Sequence, residues 1–326
     1  MVNKPSHTVN FFTPVQAIIP KVEELMRAQA EGHHPDLGAA LEHLLSSGGK
    51  RIRPAIALLT GGMFGGNQEK LITLAAAIEL LHTATLVHDD LIDGALLRRG
   101  IATLNSQWSP AATVLTGDFV FARAAQLAAE TRSPEVIRLF ARTLAVIVDG
   151  EITQLFSSKG VISRENYYQR IYAKTASMFE LATSASSILA EVDDYVKENM
   201  REFGYGIGMA FQIVDDILDF TGEQETVGKP VANDLRQGLV TLPALYFVEA
   251  HPEHDGIREV ISGKHYSEAT LERVVNDIRS SGAIEKAMEE ARAYVERSLE
   301  ILEDMPDTPE KHALADLAHY VSDRHF

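Results

Sequence analysis

The chain has 326 residues, with 30 Lys plus Arg against 46 Asp plus Glu and a net charge of −16, which argues against a general nucleic-acid binder because that role needs a basic surface. It has no cysteine, so disulfide, zinc-thiolate and thiol chemistry are excluded, and a reducing cytoplasm is compatible with that and is the expected compartment. Hydrophobic residues reach 45%, enough for a sizeable core, while no run of about 18 apolar residues predicts a membrane span and no basic-then-apolar leader predicts a secretory signal.

Met1 to Thr13 read as a loose leader. A helix is expected from Pro14, at its first position, to about Ala30, where Gly32 to Pro35 break it. A short helix follows over Pro35 to Ser46, ended by Gly48 and Gly49, then another over Arg53 to Phe64 with Pro54 in its first turn. Glu69 to about Ala95 predicts a long Ala/Leu-rich helix, and Pro110 to Glu130 and Pro134 to Phe156 predict two more. Ser163 reads as an N-cap before an aromatic-rich segment, and Lys174 to Ala190 as a helix. Asp193 to Phe220 is a second long helix, followed by the most loop-like stretch, Gly222 to Gly238. Helices over Val240 to Ala250, Asp255 to Ile261, Ser267 to Ser280, Ala283 to Glu303 and Pro309 to Ser322 complete the chain. No alternating strand stands out, so the expectation is one all-α domain of about a dozen helices.

Two clusters carry the chemistry. Asp89, Asp90 and Asp93 lie within LHTATLVHDDLIDGALLRRG, and Asp215, Asp216 and Asp219 lie within FQIVDDILDF. Each falls near the end of a long predicted helix. On a helix, residues four apart share a face, so Asp89 projects with Asp93 and Asp215 with Asp219, while Asp90 and Asp216 sit one residue round. Stacked carboxylates repel unless a cation neutralises them. Oxygen-only ligands suit Mg²⁺ or Mn²⁺ rather than zinc or copper. Mg²⁺ takes one or two carboxylates and completes its shell with water and phosphate oxygens, so two facing clusters point to a phosphate compound clamped between helices. A solvated acidic face would account for one cluster; two clusters interleaved with Val, Ile, Leu and Phe fit that reading poorly.

Cations occur where such a clamp would need them. GGKRIRP sets Lys50, Arg51 and Arg53 at a glycine-flanked helix start, where backbone N–H groups already favour anions. Arg98 and Arg99 follow the first cluster, Lys174 and Thr175 open a helix, and Lys229 follows a glycine after the second cluster. Glu79 and His82 match half of a di-iron Glu-x-x-His pattern, but no second half exists. His82 lies two turns before Asp89, on nearly the same face, and is read either as a donor to a second anion or as a buried structural histidine.

GGKRIRP, LHTATLVHDDLIDGALLRRG, the GDF at Gly117 to Phe119, YAKTA, GMAFQIVDDILDF, GKPVANDL and TLP occur together in this order. With these pieces the chain resembles the trans-prenyl diphosphate synthases, from about residue 10 onward. The resemblance implies an all-α isoprenoid synthase bundle with a central cavity lined by two Asp-rich helices, a homodimer, and three Mg²⁺ ions. It implies isopentenyl diphosphate and an allylic diphosphate as substrates. Asp89, Asp93, Asp215 and Asp219 would hold metal on the allylic diphosphate, with Asp90 and Asp216 in support. Arg98, Lys174 and Lys229 would pair with that leaving group, and Lys50, Arg53, His82 and Arg99 with the diphosphate of isopentenyl diphosphate. Thr175 and Gln212 would sit near the developing allylic cation, which Phe211 would shield. Relatives commonly carry a lysine where this chain has Leu239, so one phosphate-binding cation is missing. A class I terpene cyclase, a partner subunit of a heteromeric synthase, and a metal-binding bundle without turnover are the competing readings. GGKRIRP and the complete second cluster argue against the cyclase.

One helical turn rises ~5.4 Å, close to one extended isoprene unit. Ala84 and Thr85, one turn before Asp89, are therefore the expected chain-length gate. Both are small, so a growing tail should pass toward Leu80 and Leu81, giving roughly six to ten isoprene units, the length of a quinone side chain. Phe119 and Phe121 are candidate floor residues, with ordinary core packing as the plainer account. Any membrane contact during product release is expected to be transient.

Overall fold

The computed structural model describes residues 11–46, 49–98, 100–156, 163–222, 231–262 and 266–324. Its helices are α1 (Ile19–Ala28), α2 (Pro35–Ser46), α3 (Ile52–Met63), α4 (Gln68–Ile92), the short α5 (Leu104–Gln107), α6 (Pro110–Glu130), α7 (Pro134–Phe156), α8 (Arg164–Ile171), α9 (Ser177–Leu189) and α10 (Asp194–Thr221). They continue with α11 (Asn233–Arg236), α12 (Leu242–Ala250), α13 (Asp255–Ile261), α14 (Glu268–Ser280), α15 (Ala283–Glu303) and α16 (Pro309–Ser322). The all-α expectation holds, and α6 and α7 run between the residues that the sequence marks.

Local chemistry sets the ends of the helices that matter most. The Asn67 side chain caps α4 by accepting from the Lys70 N–H, and Gly94, with φ of 64°, ends it one residue after its C-cap Asp93. Asp193 caps α10 by accepting from the Val196 N–H. Helix α4 is the axis of the bundle, packed by α1, α3, α6 and α9. It is long and apolar enough to cross a membrane, but 72% of its apolar window is buried inside the fold, which makes it a core helix. Helix α9 lies against both α4 and α10. Together with its N-cap Ala176 it approaches α10 tightly: a Cβ on Gly208 would stand 2.5 Å from Ala176 Cα, and one on Gly204 2.7 Å from the Phe179 carbonyl. Only glycine lets these backbones meet so closely.

Four expectations are corrected. The first long helix is split into a 3₁₀ turn at Thr13–Val15 and α1. Pro20 is the reason, because it lacks an N–H and is tolerated only in a first turn. The leader is not loose throughout: Phe11 is buried and its ring lies 5.3 Å from that of Tyr320, while residues 1–10 lie outside the described residues. Leu97–Arg98 and Ile101–Ala102 form a two-residue antiparallel ladder turned by Gly100, with φ of 77°. The stretch after α10 is not all loop, since α11 lies within it.

Candidate active site

Helices α4 and α10 bring the two aspartate clusters to their C-terminal ends, and the segment leading into α9 stands between them. That segment, Tyr172–Ala176, is a π turn rather than the regular helix expected. Such wide turns are rare and occur mostly as single turns at functional positions. It carries Lys174 and Thr175. The Lys174 ammonium is 4.0 Å from Glu151 on α7. Burial acts to lower its pKa, but Glu151, Asp89, Asp234 and Asp93 outweigh burial and raise it. Lys174 thus stays charged in a field set by the first cluster and by Asp234.

The second cluster is tied to the same turn. Thr175 Oγ1 and Gln212 Oε1 are 2.6 Å apart, Gln212 Nε2 donates to Asp216 Oδ1 at 2.8 Å, and the Tyr167 hydroxyl donates to Asp216 Oδ2 at 2.8 Å. Asp216 is buried. Desolvation, reinforced by Asp234, raises its pKa to about 7. Burial, with Asp216 beside it, keeps the Tyr167 phenol protonated and donating. Asp219 accepts the backbone N–H groups of Asn233 and Asp234 at 3.1 Å each. Asp215 is 37% exposed and accepts from Arg324 Nη1 at 2.6 Å. Enclosure raises its pKa, against the lowering pull of Arg324, Arg53 and Lys50.

In the first cluster Asp90 is buried and gripped by Arg98, whose Nε lies 2.9 and 3.0 Å from its two oxygens and Nη2 2.8 Å from Oδ1. Among the described residues no arginine clamps Asp89 or Asp93 in this way. Burial, with Glu151 and Asp93 nearby and against Lys174 and Arg98, pushes Asp89 to about 6. Its side chain therefore meets neutral pH as a reluctant anion.

The cations of the GGKRIRP stretch divide. Lys50 Nζ donates to the Tyr320 hydroxyl at 2.5 Å, and Arg53 stacks 5.2 Å over Phe179. Arg51, at φ of 48°, turns away and pairs with Glu23 at 2.8 Å and the buried Glu79 at 3.0 Å. Glu79 is thereby a structural ion-pair partner. His82 is half-buried on α4, Ala84 and Thr85 are buried, and Thr85 Oγ1 donates to the His82 carbonyl. Phe119 packs edge-on against His33, and Phe121 lies 5.2 Å from the His88 ring. Gly117 makes room for that histidine, since a Cβ there would stand 2.2 Å from His88 Nε2. Lys229 and Arg99 lie outside the described residues.

Among the described residues no three His, Asp or Glu side chains converge into a ready-made metal nest. Mg²⁺ needs only one or two carboxylates, its shell being completed by water and phosphate oxygens. Sequence reasoning missed Tyr167, Glu151, Asp234, Tyr320 and Arg324. Asp234 alone had a cue, being part of the GKPVANDL stretch.

A helical bundle that sets aspartate clusters at the ends of two long helices, around a lysine on a π turn, has the architecture of the all-α isoprenoid synthases. The chain belongs to the polyprenyl synthetase family, whose model matches residues 34–278. It is 38% identical to the octaprenyl diphosphate synthase of Escherichia coli (strain K12) over 293 residues, covering 86% of this chain and 88% of that one. It is 36% identical to heptaprenyl diphosphate synthase component 2 of Geobacillus stearothermophilus over 306 residues, covering 94% and 95%. The solved polyprenyl synthase of Caulobacter crescentus CB15, complexed with calcium and isoprenyl diphosphate, matches with a TM-score of 0.90 at 35% identity over 97% of both chains.

Proposed function

We propose that the protein condenses an allylic diphosphate with isopentenyl diphosphate, releasing diphosphate and building an all-trans polyprenyl diphosphate of roughly six to ten isoprene units. The observation that carries this reading is the position of the Lys174–Thr175 turn between the two aspartate clusters. The long product accords with the octaprenyl and heptaprenyl relatives and with the small Ala84 and Thr85.

The cluster carboxylates form an oxygen-only donor set that fits Mg²⁺, or Mn²⁺ in its place. Asp89, Asp93, Asp215 and Asp219 would hold three such ions on the allylic diphosphate. Bound metal supplies Lewis-acid neutralisation of charge building on the departing diphosphate. Asp90 and Asp216, already committed to Arg98 and to Tyr167 and Gln212, act in support by fixing those partners. Lys174, with Arg98 and Lys229, offers charge to the leaving group as its C–O bond breaks. The Thr175 and Gln212 oxygens face the allylic cation. Lys50, Arg53, His82 and Arg99 bind the second diphosphate, so that the double bond of isopentenyl diphosphate attacks the cation and the released diphosphate takes the proton.

We assign a homodimer in the cytoplasm as the working form, with transient membrane contact at product release. A second copy suits the apolar exposed faces of α6 and α7, where Val114, Leu115, Val148, Ile152 and Leu155 are solvent-facing in the single chain. A wild type that sediments as a dimer while Leu115→Asp sediments as a monomer supports both the dimer and this face; a Leu115→Asp variant that stays dimeric moves the interface elsewhere, and a monomeric wild type refutes the dimer.

The deciding experiment incubates the protein with Mg²⁺, farnesyl diphosphate and labelled isopentenyl diphosphate, then sizes the dephosphorylated alcohols. A ladder ending well beyond geranylgeraniol establishes the reading. A product stopping at geranylgeraniol makes it a short-chain synthase, and hydrocarbon without elongation makes it a cyclase. No turnover points to a missing partner subunit.

A further inference from the structure

Each of four cluster acids has a partner within the chain, but the partners differ in kind. Asp90 is held through both oxygens by one arginine and is 9% exposed at its side chain. Both oxygens of Asp216 accept hydrogen bonds, and Asp219 takes two backbone N–H groups. These arrangements are buried or made by backbone. The Asp215 contact is of another kind: a hydrogen bond to one guanidinium nitrogen of Arg324, on an acid that is 37% exposed.

Arg324 comes from the segment that follows α16, and its guanidinium has a second seat. It stacks 4.5 Å over the ring of Phe211, one turn before Asp215 on α10. Phe211 lies 5.2 Å from Phe179, whose other neighbour is Arg53. The side chain can therefore release Asp215 and keep its aromatic contact, a cation–π interaction with the ring face.

We propose that Arg324 is a displaceable counter-cation of the second acid cluster, occupying the side of Asp215 that a metal ion takes, so that metal binds there only as Arg324 withdraws. This rests on the metal-binding reading of Asp215 given above. Without metal, Arg324 relieves the repulsion that an unpaired Asp215 would add to Asp216 and Asp219. The same contact competes with free divalent cation, so the cluster fills readily only when a metal arrives with a diphosphate whose own contacts help to displace the arginine. The site thereby discriminates against metal alone.

The test is Mn²⁺ binding to the full-length, substrate-free protein, read from the electron paramagnetic resonance signal of free Mn²⁺. Arg324→Gln should tighten Mn²⁺ binding by about threefold or more, the scale of one partly exposed ion pair, while Arg324→Lys, which keeps the charge, should stay near wild type. Unchanged or weaker binding in Arg324→Gln overturns the proposal, as does equal tightening in both variants. Asp215→Asn separates the two claims. If it leaves Mn²⁺ binding unaltered, the metal reading of Asp215 fails. If it weakens binding while Arg324→Gln changes nothing, that reading stands and the counter-cation fails. A measurement on the wild type guards against misfolded variants: saturating Mg²⁺ should shift the side-chain Nε–H NMR signal of Arg324, identified by its loss in Arg324→Lys, and an unshifted signal overturns the proposal.

Discussion

Thr175 Oγ1 lies 2.6 Å from Gln212 Oε1, which ties the π turn before α9 to the second aspartate helix. The amide nitrogen of the same glutamine donates to the buried Asp216. Gln212→Leu removes both links and leaves Asp216 with the Tyr167 hydroxyl alone. The expected loss of stability is about 1–3 kcal/mol, the cost of an under-satisfied buried acceptor. Turnover should fall by about tenfold or more, because the proposed placement of Thr175 beside the reacting carbon is lost. Denaturant melts and separate kcat and KM values check this; a change in KM alone would count against the positioning role.

The raised pKa of Asp89 makes ligand-free stability depend on pH with a defined sign. An unfolded aspartate titrates near 3.8 and the folded one near 6, so the folded state binds more protons between those values. Stability then falls as pH rises from about 4 to about 6 and stays lowered above that. Asp216, raised to about 7, extends the same trend upward. Asp89→Asn should therefore raise the Tm of the ligand-free protein at pH 7.5 by on the order of 2 °C, with no gain at pH 4. Added Mg²⁺ with inorganic pyrophosphate should stabilise the wild type more at pH 7.5 than at pH 5.5. Thermal melts at the three pH values report both.

Ala84 is fully buried one turn before Asp89. Ala84→Phe or Ala84→Tyr should shorten the product to about three or four isoprene units, because one turn of helix spans about one unit. Chromatography of the dephosphorylated alcohols reads the outcome. Unchanged length would move the gate off this face of α4.

Arg51 and Glu79 form a largely buried ion pair, their side chains 12% and 6% exposed. Arg51→Ala leaves Glu79 without its nearest cation and should cost about 3–5 kcal/mol. The paired replacement Arg51→Met with Glu79→Leu should recover most of that loss. Equilibrium unfolding of the three variants checks it, and equal losses in the single and double variants would show that the pair itself is not the cause.

The acid clusters were legible because helical spacing alone puts Asp89 with Asp93 and Asp215 with Asp219. The limits of α6 and α7 were legible from Pro110 and Pro134, which open them. Arg51 was not, because its neighbours Lys50 and Arg53 look equivalent in sequence, and only the left-handed backbone at Arg51 turns it inward. The Arg324–Asp215 contact spans 109 residues, beyond any local periodicity. The role of Pro20 was open to notice, since a proline resists an interior helical position.

The π turn at Tyr172–Ala176 has a consequence for register. Tyr167 and Thr175 are eight residues apart, which on an uninterrupted α-helix separates them by about 80° of rotation. The wide turn absorbs one residue, and they then behave as if seven apart, within about 20° of a common direction. That phase correction lets Tyr167 reach Asp216 while Thr175 reaches Gln212, two partners one turn apart on a single neighbouring helix. Deleting Ala173 would let the stretch close into a regular helix with Tyr167 and Thr175 seven positions apart and in the same phase, whereas inserting one residue would turn one support about 100° away from its partner, so this short stretch should tolerate loss of its extra residue far better than gain of another.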